Sequence, residues 1–409
     1  MTGRDAILHL ADLHLGASVS KSLAAWDPVR ANKLLAERNR FLERLAEWIS
    51  RDDCPVGLVL IAGDLFDSHS PPGEVVESAL RGLARIVAVG LPVVTVPGNH
   101  DEFSYAKCIY RHLKEQNTWP GVLVTGPQPE VVWEGQLGND VPVRIVSACY
   151  QAGCVPPGGV VELPPCPEKI TSIALIHGSL NDPGLLPLRI VEGERCFRVS
   201  AEEASRRGYA YLALGHIHRF GRWNFGRLMA VYSGAPLGRS EDDPGTGHLT
   251  LIRPAKPSRT AMAPDLELST VSPPEVIQTV WRVIREEVTI ADTPERFVET
   301  LLARLERNTA SPGAGYSDSI DVVKLHGQLP AETFVQECAA LLEKKSLRVL
   351  FEWQQAEVVP PIDLQLLARE QSLAGQFIRQ WEKWKDASQE DEAFAQAVLY
   401  EGLRAILGK

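Results

Sequence analysis

The sequence predicts an α/β protein: a layered core over residues 1–253, a Pro-rich linker over 254–274, a small α/β domain over 275–358 and a helical tail over 362–409. Three observations lead there. Short, dense apolar runs alternate with amphipathic stretches through the first half, as expected of strands covered on both faces by helices. A proline-rich run, from Arg253-Pro254 to Ser272-Pro273-Pro274, interrupts that pattern. Beyond Pro360-Pro361 the apolar positions recur at helical intervals. With 409 residues, 45.0 kDa and 44% hydrophobic residues, the chain holds enough apolar material for two or three domains.

In order, Ile7 to Ala11 reads as the first strand. Pro28 to Ser50 carries one helical stripe of Leu34, Leu35, Phe41, Leu42, Leu45, Ala46 and Ile49. A strand from Val56 to Ile61, a helix from about Glu74 to Val87 and a strand from Leu91 to Val96 continue the alternation. Later strands are expected at Val143–Ser147, Ile173–Ile176, Tyr209–Leu214 and Met229–Tyr232. The small domain reads as strand (about Ile277–Val288), helix (Pro294–Arg307), strand (Ile320–His326), helix (Ala331–Glu343) and strand (Leu347–Phe351). The tail forms two helices broken at Asp386-Ala387-Ser388-Gln389. Its stripe, including Trp381 and Trp384, either packs on the body or docks helices of a partner, where tryptophan is favoured.

The net charge of -10 weighs against a polyanion partner, but the charge is unevenly placed. Arg189, Arg195, Arg198, Arg206, Arg207, Arg219, Arg222 and Arg227 crowd one stretch, either as one patch or as ordinary solvated surface. Bound divalent ions would also reverse the local sign. The first residues lack the layout of a secretory signal, and no apolar run is long enough to span a membrane. Seven cysteines without CxxC spacing fit reduced cytoplasm rather than a disulfide framework.

The chemistry lies in five short runs: Asp12-x-His14, Gly63-Asp64, Gly98-Asn99-His100-Asp101, His177 and Gly215-His216-x-His218. Each follows an expected strand, as if several strand ends delivered their first loop residues to one point. Asp and Asn oxygens mixed with imidazoles suit manganese, iron or zinc, unlike an all-thiolate zinc site or an all-oxygen calcium loop. One carboxylate bridging two ions brings them within about 4 Å, an arrangement that activates water and clamps an in-line phosphoryl transfer. The glycines before Asp64, Asn99 and His216 allow sharp turns and close approach of a phosphate. Any one run alone is a common loop; the coincidence of five carries the argument.

In this order the runs resemble the calcineurin-like metallophosphoesterase superfamily. Within it, Leu10-Ala11-Asp12-Leu13-His14-Leu15-Gly16 and Ala62-Gly63-Asp64-Leu65-Phe66-Asp67 most resemble the SbcD/Mre11 group of double-strand-break repair nucleases. The motifs cover the first 220 residues. The resemblance implies a metallophosphoesterase β-sandwich core flanked by helices, a small α/β capping domain downstream and a tail that serves as an ATPase-docking segment. It also implies that Asp12, His14, Asp64 and His218 hold one metal and Asp64, Asn99, His177 and His216 the other, most often Mn2+, with Fe2+ or Zn2+ allowed by the ligands. His100, held by Asp101, would stabilise the phosphoryl oxygens or protonate the leaving 3′-oxygen after attack by the metal-activated water.

Asp67 stands where some relatives carry a second active-site histidine. His69 reads either as a loop histidine or as a partial substitute for that second histidine, His9 as a residue packed or hydrogen-bonded within the first strand, and His112, His248 and His326 have no motif around them. The implied function is a DNA exonuclease or endonuclease acting with an SbcC/Rad50-like coiled-coil ATPase, as a homodimer. Helices 31–49 and 74–87 are the dimer candidates, with Leu80, Leu83 and Ile86 either as the apolar face of that contact or packed solely within the monomer. Two alternatives use the same residues: a stand-alone phosphodiesterase or phosphatase, and a non-catalytic scaffold that mainly docks DNA or the ATPase.

Overall fold

A computed structural model describes residues 3–154, 159–182, 195–254, 266–289, 292–309, 318–358, 364–387 and 392–407. Arg189, most of the Pro-rich run (255–265) and Pro360-Pro361 lie outside the described residues. The chain divides into two compact units: residues 1–281 with 315–319, and residues 282–314 with 320–409.

The first unit runs β1 (Ala6–Leu10), α1 (Lys21–Trp26), α2 (Pro28–Asn39), α3 (Phe41–Ile49), β2 (Val56–Ala62), α4 (Gly73–Ala88), β3 (Val93–Val96), α5 (Ile109–Glu115), β4 (Val122–Leu123) and β5 (Glu130–Leu137). It continues with β6 (Val141–Ser147), β7 (Thr171–Leu180), β8 (Phe197–Val199), α6 (Ala201–Arg206), β9 (Tyr211–Gly215), β10 (Gly221–Phe225), β11 (Leu228–Tyr232), β12 (Leu249–Pro254) and β13 (Leu266–Val271). One sheet has the order β13-β12-β1-β2-β3-β4, with β1 to β4 parallel. The other has the order β10-β11-β9-β7-β6-β5, with β8 paired to β7.

Strand alternation makes this a layered sandwich. Ile7, Leu58 and Leu60 face an inner layer with Ile145, Ile173, Leu175, Tyr211 and Val231 of the second sheet. Leu8, Leu10, Val59 and Ile61 face the other way, against Phe41 and Leu45 of α3 and Ala79, Leu83 and Ile86 of α4. A third layer packs Ala201 and Ala204 of α6 on Ala174, Leu212 and Leu214. The central strands β1, β2, β3, β7 and β9 are thus buried on both faces, which is why their sequences read as near-continuous apolar runs.

Several boundaries differ from the sequence reading. The helix expected over Pro28–Ser50 is broken at Arg40 (φ −101°, ψ 9°), because two helices share one apolar stripe across a single non-helical residue. Leu266–Val271, assigned to the linker, is an edge strand paired with β12 in register Leu249↔Val271. Leu83 and Ile86 are fully buried in their own monomer, so they offer no apolar face to a second copy.

The second unit holds a three-stranded sheet, β14 (Thr279–Val288), β15 (Asp318–Leu329) and β16 (Val349–Val358), with α7 (Pro294–Thr309) and α8 (Phe334–Glu343). Phe297, Leu301 and Leu305 of α7 and Phe334, Cys338 and Leu342 of α8 form its core with Val323 and Leu325. Among the described residues the tail holds three helices, α9 (Leu364–Ala368), α10 (Leu373–Ala387) and α11 (Glu392–Leu407), rather than two. Ile378 and Trp381 pack on Ala395, Leu399 and Leu403, which absorbs much of the expected stripe into the tail itself; Trp384 stays exposed.

Candidate metal centre

The parallel strands end at one edge of the sandwich. Asp12 and His14 lie in the loop after β1, Asp64 and Asp67 after β2, Asn99 and His100 after β3, and His216 and His218 after β9. His177 corrects the expectation that every ligand is a loop residue. β7 runs on to Leu180, and His177 pairs in register with Gly215. Its parity with Ile173 and Leu175 turns it toward the inner layer, where it is buried.

Asp12 (φ 54°), His14 (46°), Asp64 (49°) and His216 (102°) all sit in the left-handed region that L residues avoid. Cross-loop bonds hold them there, Asp12 N donating to Gly63 O (3.1 Å) and His14 N to Asp64 O (3.0 Å). Strain of this kind persists only where the surroundings over-determine it. The glycines act more tightly than the sequence suggested. A Cβ on Gly98 would lie 2.2 Å from Asp64 Oδ1, and one on Gly63 (φ +88°) 2.2 Å from His177 Nδ1, so the close approach they permit is to ligand side chains.

The candidate donors converge. His14 Nε2 lies 3.1 Å from His218 Nε2 and 3.7 Å from Asp64 Oδ2, and His177 Nε2 lies 3.6 Å from Asp64 Oδ2. Asn99 Oδ1 faces His177 Nε2 at 2.9 Å and His216 Nδ1 at 3.0 Å. Asp12 accepts the His216 backbone N–H at 3.0 and 3.1 Å. Ligand atoms within 4.8 Å of one another group Asp12 with His14 and His218, Asp12 with Asp64 and His177, and His14 with Asp64 and His100. Asp12, Asp64 and His14 each recur in two of these groups, and the two carboxylates meet in the one that holds His177.

The outer nitrogens reveal what the inner ones can do. His14 Nδ1 meets Asp67 Oδ1 (3.0 Å), His218 Nδ1 meets Asp243 Oδ2 (2.7 Å) and His177 Nδ1 meets Ala62 O (2.9 Å). Carboxylates and carbonyls only accept, so each Nδ1 carries a proton, and in the neutral ring each Nε2 presents a lone pair. Two lone pairs then face each other between His14 and His218, and a third faces the Asn99 oxygen. Acceptors packed this way fit cations and suit little else. The donor set of imidazole nitrogens and carboxylate or amide oxygens fits Mn, Fe or Zn, and carboxylates placed behind imidazoles in this way orient them toward a metal.

The electrostatics divide these groups. Burial pushes His14 down to about 4 despite its bond to Asp67, leaving it neutral for ligation. For His177, burial is outweighed by Asp64 and Asp12; for His218, by Asp243 and Asp12; both are raised. Burial pushes Asp12 up to about 6, whereas in Asp64 the burial penalty is overcome by His177, His14 and His100 and the carboxyl is lowered.

Asp101 does not hold His100. Fully buried, it accepts from Gly98 N (2.7 Å), Phe66 N (3.0 Å) and Tyr110 Oη (2.7 Å), all backbone or core partners. His100 instead places Nδ1 3.1 Å from Asp67 O and 3.8 Å from Asp67 Oδ1, with its side chain 41% exposed at the rim. Its backbone N–H donates to Asp64 Oδ1 at 2.9 Å. Asp243 and Arg239 carry no motif, and sequence reasoning missed them; Arg239 Nε donates to Asp243 Oδ2 at 2.7 Å.

The other flagged residues separate. His9 is buried against Tyr211 Oη (3.0 Å), and His69 stacks on Tyr105 at 4.3 Å. Arg195 pairs with buried Glu102, and Arg206 and Arg207 pair with Glu203, so these three arginines are partly committed. Arg219 and Arg222 are exposed close in sequence to His218. None of the seven cysteines is in a disulfide, and no helix among the described residues is long and apolar enough to cross a membrane.

Residues 6–153 match the calcineurin-like phosphoesterase family. The chain is 27% identical over 292 residues to the SbcD component of the SbcCD nuclease of Bacillus subtilis, covering 65% of this chain and 70% of that protein. It is 27% identical over 287 residues to the SbcD component of the same nuclease in Rhodobacter capsulatus (60% and 65%), and 24% identical over 231 residues to the DNA double-strand break repair protein Mre11 of Methanopyrus kandleri (51% and 44%). The matched part thus spans between about two fifths and about two thirds of these relatives' lengths. The segment that delivers Asp12, His14, Asp64, Asn99 and His100 is a calcineurin-like phosphoesterase domain, in a chain similar to the SbcD and Mre11 nucleases.

Proposed function

We propose that this protein is a nuclease that hydrolyses DNA phosphodiesters with two divalent ions, Asp12, His14, Asp64 and His218 holding one and Asp64, Asn99, His177 and His216 the other. The observation that carries the reading is the packing of bare imidazole nitrogens and buried carboxylates against one another at the strand ends. A pair of divalent ions there supplies Lewis acidity, lowering the pKa of water and neutralising phosphoryl oxygens. Manganese is the proposed ion.

His100 is the proposed catalytic residue beyond the ligands. Its Nδ1 donates to the Asp67 carbonyl, so as a neutral ring it presents Nε2 as an acceptor. To act as an acid it takes a second proton on Nε2 and gives it to the leaving 3′-oxygen as the P–O bond breaks, returning to the neutral form. Asp67 Oδ1 lies 3.8 Å from the same Nδ1. Asp101 braces the loop that carries His100 through the Gly98 and Phe66 amides.

DNA as substrate, and an SbcC/Rad50-like ATPase as partner, follow from the named relatives, and exposed Arg219 and Arg222 supply charge for a backbone. A homodimer, a role in break repair and a cytoplasmic setting belong to the same reading. With manganese, the protein together with its ATPase should degrade linear duplex DNA. His100→Ala should lower the rate by about 10²–10⁴-fold with manganese binding retained. Hydrolysis confined to small phosphodiesters would instead favour the stand-alone phosphodiesterase.

A further inference from the structure

We propose that Arg239 is a positioning residue of the metal centre, joining the two carboxylates that orient His14 and His218 into one bracket. The inference rests on the reading of those histidines as metal ligands and deepens it by assigning the group that fixes them relative to each other. Arg239 Nε donates to Asp243 Oδ2 at 2.7 Å, and Nη1 to Asp67 Oδ1 at 3.4 Å. The same two oxygens receive the Nδ1 protons of His218 and His14, so each shares one imidazole and one guanidinium donor. Arg239 Nη2 also lies 3.3 Å from His218 Nδ1, a close approach imposed by their common acceptor.

The bracket crosses the sandwich. His14 follows β1 of the first sheet and His218 follows β9 of the second. Within the site, the guanidinium joins their orienting carboxylates. Its planar fork reaches two acceptors in fixed directions, which a point-charge ammonium does not.

The segment around it is built for the purpose. Arg239 N donates to Asp243 O (2.8 Å), Asp243 N to Ser240 O (3.1 Å) and Ser20 N to Arg239 O (3.2 Å), which sets Arg239 beside Asp243. Fully buried Arg38 donates from Nη1 to Ala17 O (2.9 Å) and from Nη2 to Gly238 O (2.7 Å), tying the loop after His14 to the residue before Arg239. The side chains of Arg239, Asp67 and Asp243 remain 27%, 34% and 19% exposed. Ion pairs so exposed add little to folding, so the consequence of this one falls on ligand geometry.

The test is manganese binding to the chelator-treated full chain, by calorimetry and by the electron paramagnetic resonance of bound Mn2+, for the parent, Arg239→Lys and Arg239→Met. Both variants should bind about tenfold more weakly, the scale of losing the groups that orient a ligand, with an altered resonance of the bound ion. Parental affinity in Arg239→Lys overturns the forked bracket, since charge alone would then suffice. If the parent itself fails to bind two ions, the metal-centre reading falls instead. Should either variant unfold, Asp67→Asn and Asp243→Asn in a chain that keeps Arg239 decide the matter. Coupled sites give a combined loss of affinity different from the product of the single losses, and independent sites that multiply overturn the proposal.

Discussion

The Nε2 atoms of His14 and His218 face each other at 3.1 Å while their Nδ1 atoms are held by Asp67 and Asp243. With both rings neutral, neither nitrogen can donate to the other, so the contact is repulsive until a cation occupies the space beside it. Metal should therefore stabilise the fold as well as serve chemistry. At a hundredfold excess of manganese over its dissociation constant, the gain in folding free energy should be about 2.7 kcal/mol per site. Thermal unfolding across a manganese titration of chelator-treated protein checks this. His218→Ala should blunt the rise, and an equal rise in that variant would remove His218 from the ligand set.

Asp101 bonds to two loop amides and Tyr110 rather than to His100, so a structural role can be measured apart from a catalytic one. Asp101→Ala strands the Gly98 and Phe66 amides and the Tyr110 hydroxyl, and should cost about 3 kcal/mol or more of stability. Tyr110→Phe removes one of those bonds and should cost about 1 kcal/mol, with turnover nearly parental. Denaturant unfolding beside nuclease assays separates the two effects. A large loss of turnover in stable Tyr110→Phe would return Asp101 to the catalytic set.

Gly98→Ala tests the fit between the β3 loop and Asp64. The new methyl would begin 2.2 Å from Asp64 Oδ1, so either the carboxylate or the loop must shift. Overpacking of this kind costs about 1–3 kcal/mol, and the displaced Asp64 should weaken manganese binding at both sites. Calorimetric binding indistinguishable from the parent would contradict a bridging role for Asp64.

His9 gives a pH prediction separate from the metal ligands. Burial against Tyr211 lowers its pKa from 6.5 to about 3, so the folded chain keeps it neutral while the unfolded chain takes up a proton. Its contribution is thus fully present above pH 6.5 and declines as pH falls toward 3, by up to about 1.4 kcal/mol per pH unit. Urea unfolding of parent and His9→Gln at pH 7, 6 and 5 checks the sign. The parent's stability should fall more steeply, and parallel curves would refute the assignment.

Much of the site was legible because each of its runs is local. Asp12-x-His14, Gly63-Asp64, Gly98-Asn99-His100-Asp101 and His216-x-His218 sit at or just past strand ends, where a break in an apolar run marks the loop. His177 came with the wrong setting, since β7 continues past it to Leu180 and apolar content alone does not show where a buried strand stops. The strand Glu130–Leu137 escaped notice because its polar residues obscure the apolar pattern, and the break at Arg40 because a helical stripe continues in phase across it.

The sequence by itself determined the alternating α/β order, the small downstream domain and the supply of ligand types, because strand periodicity and strand-end chemistry are written within a few residues. Only the tertiary structure decided which partner each ligand turns toward. Asp67 orients His14, Asp243 orients His218 across 25 positions, Arg239 spans both carboxylates, and Asp101 turns to Tyr110 instead of His100. Those choices depend on loops from separate strands meeting at one edge, where hydrogen-bond direction over about 3 Å, rather than spacing along the chain, selects the partner.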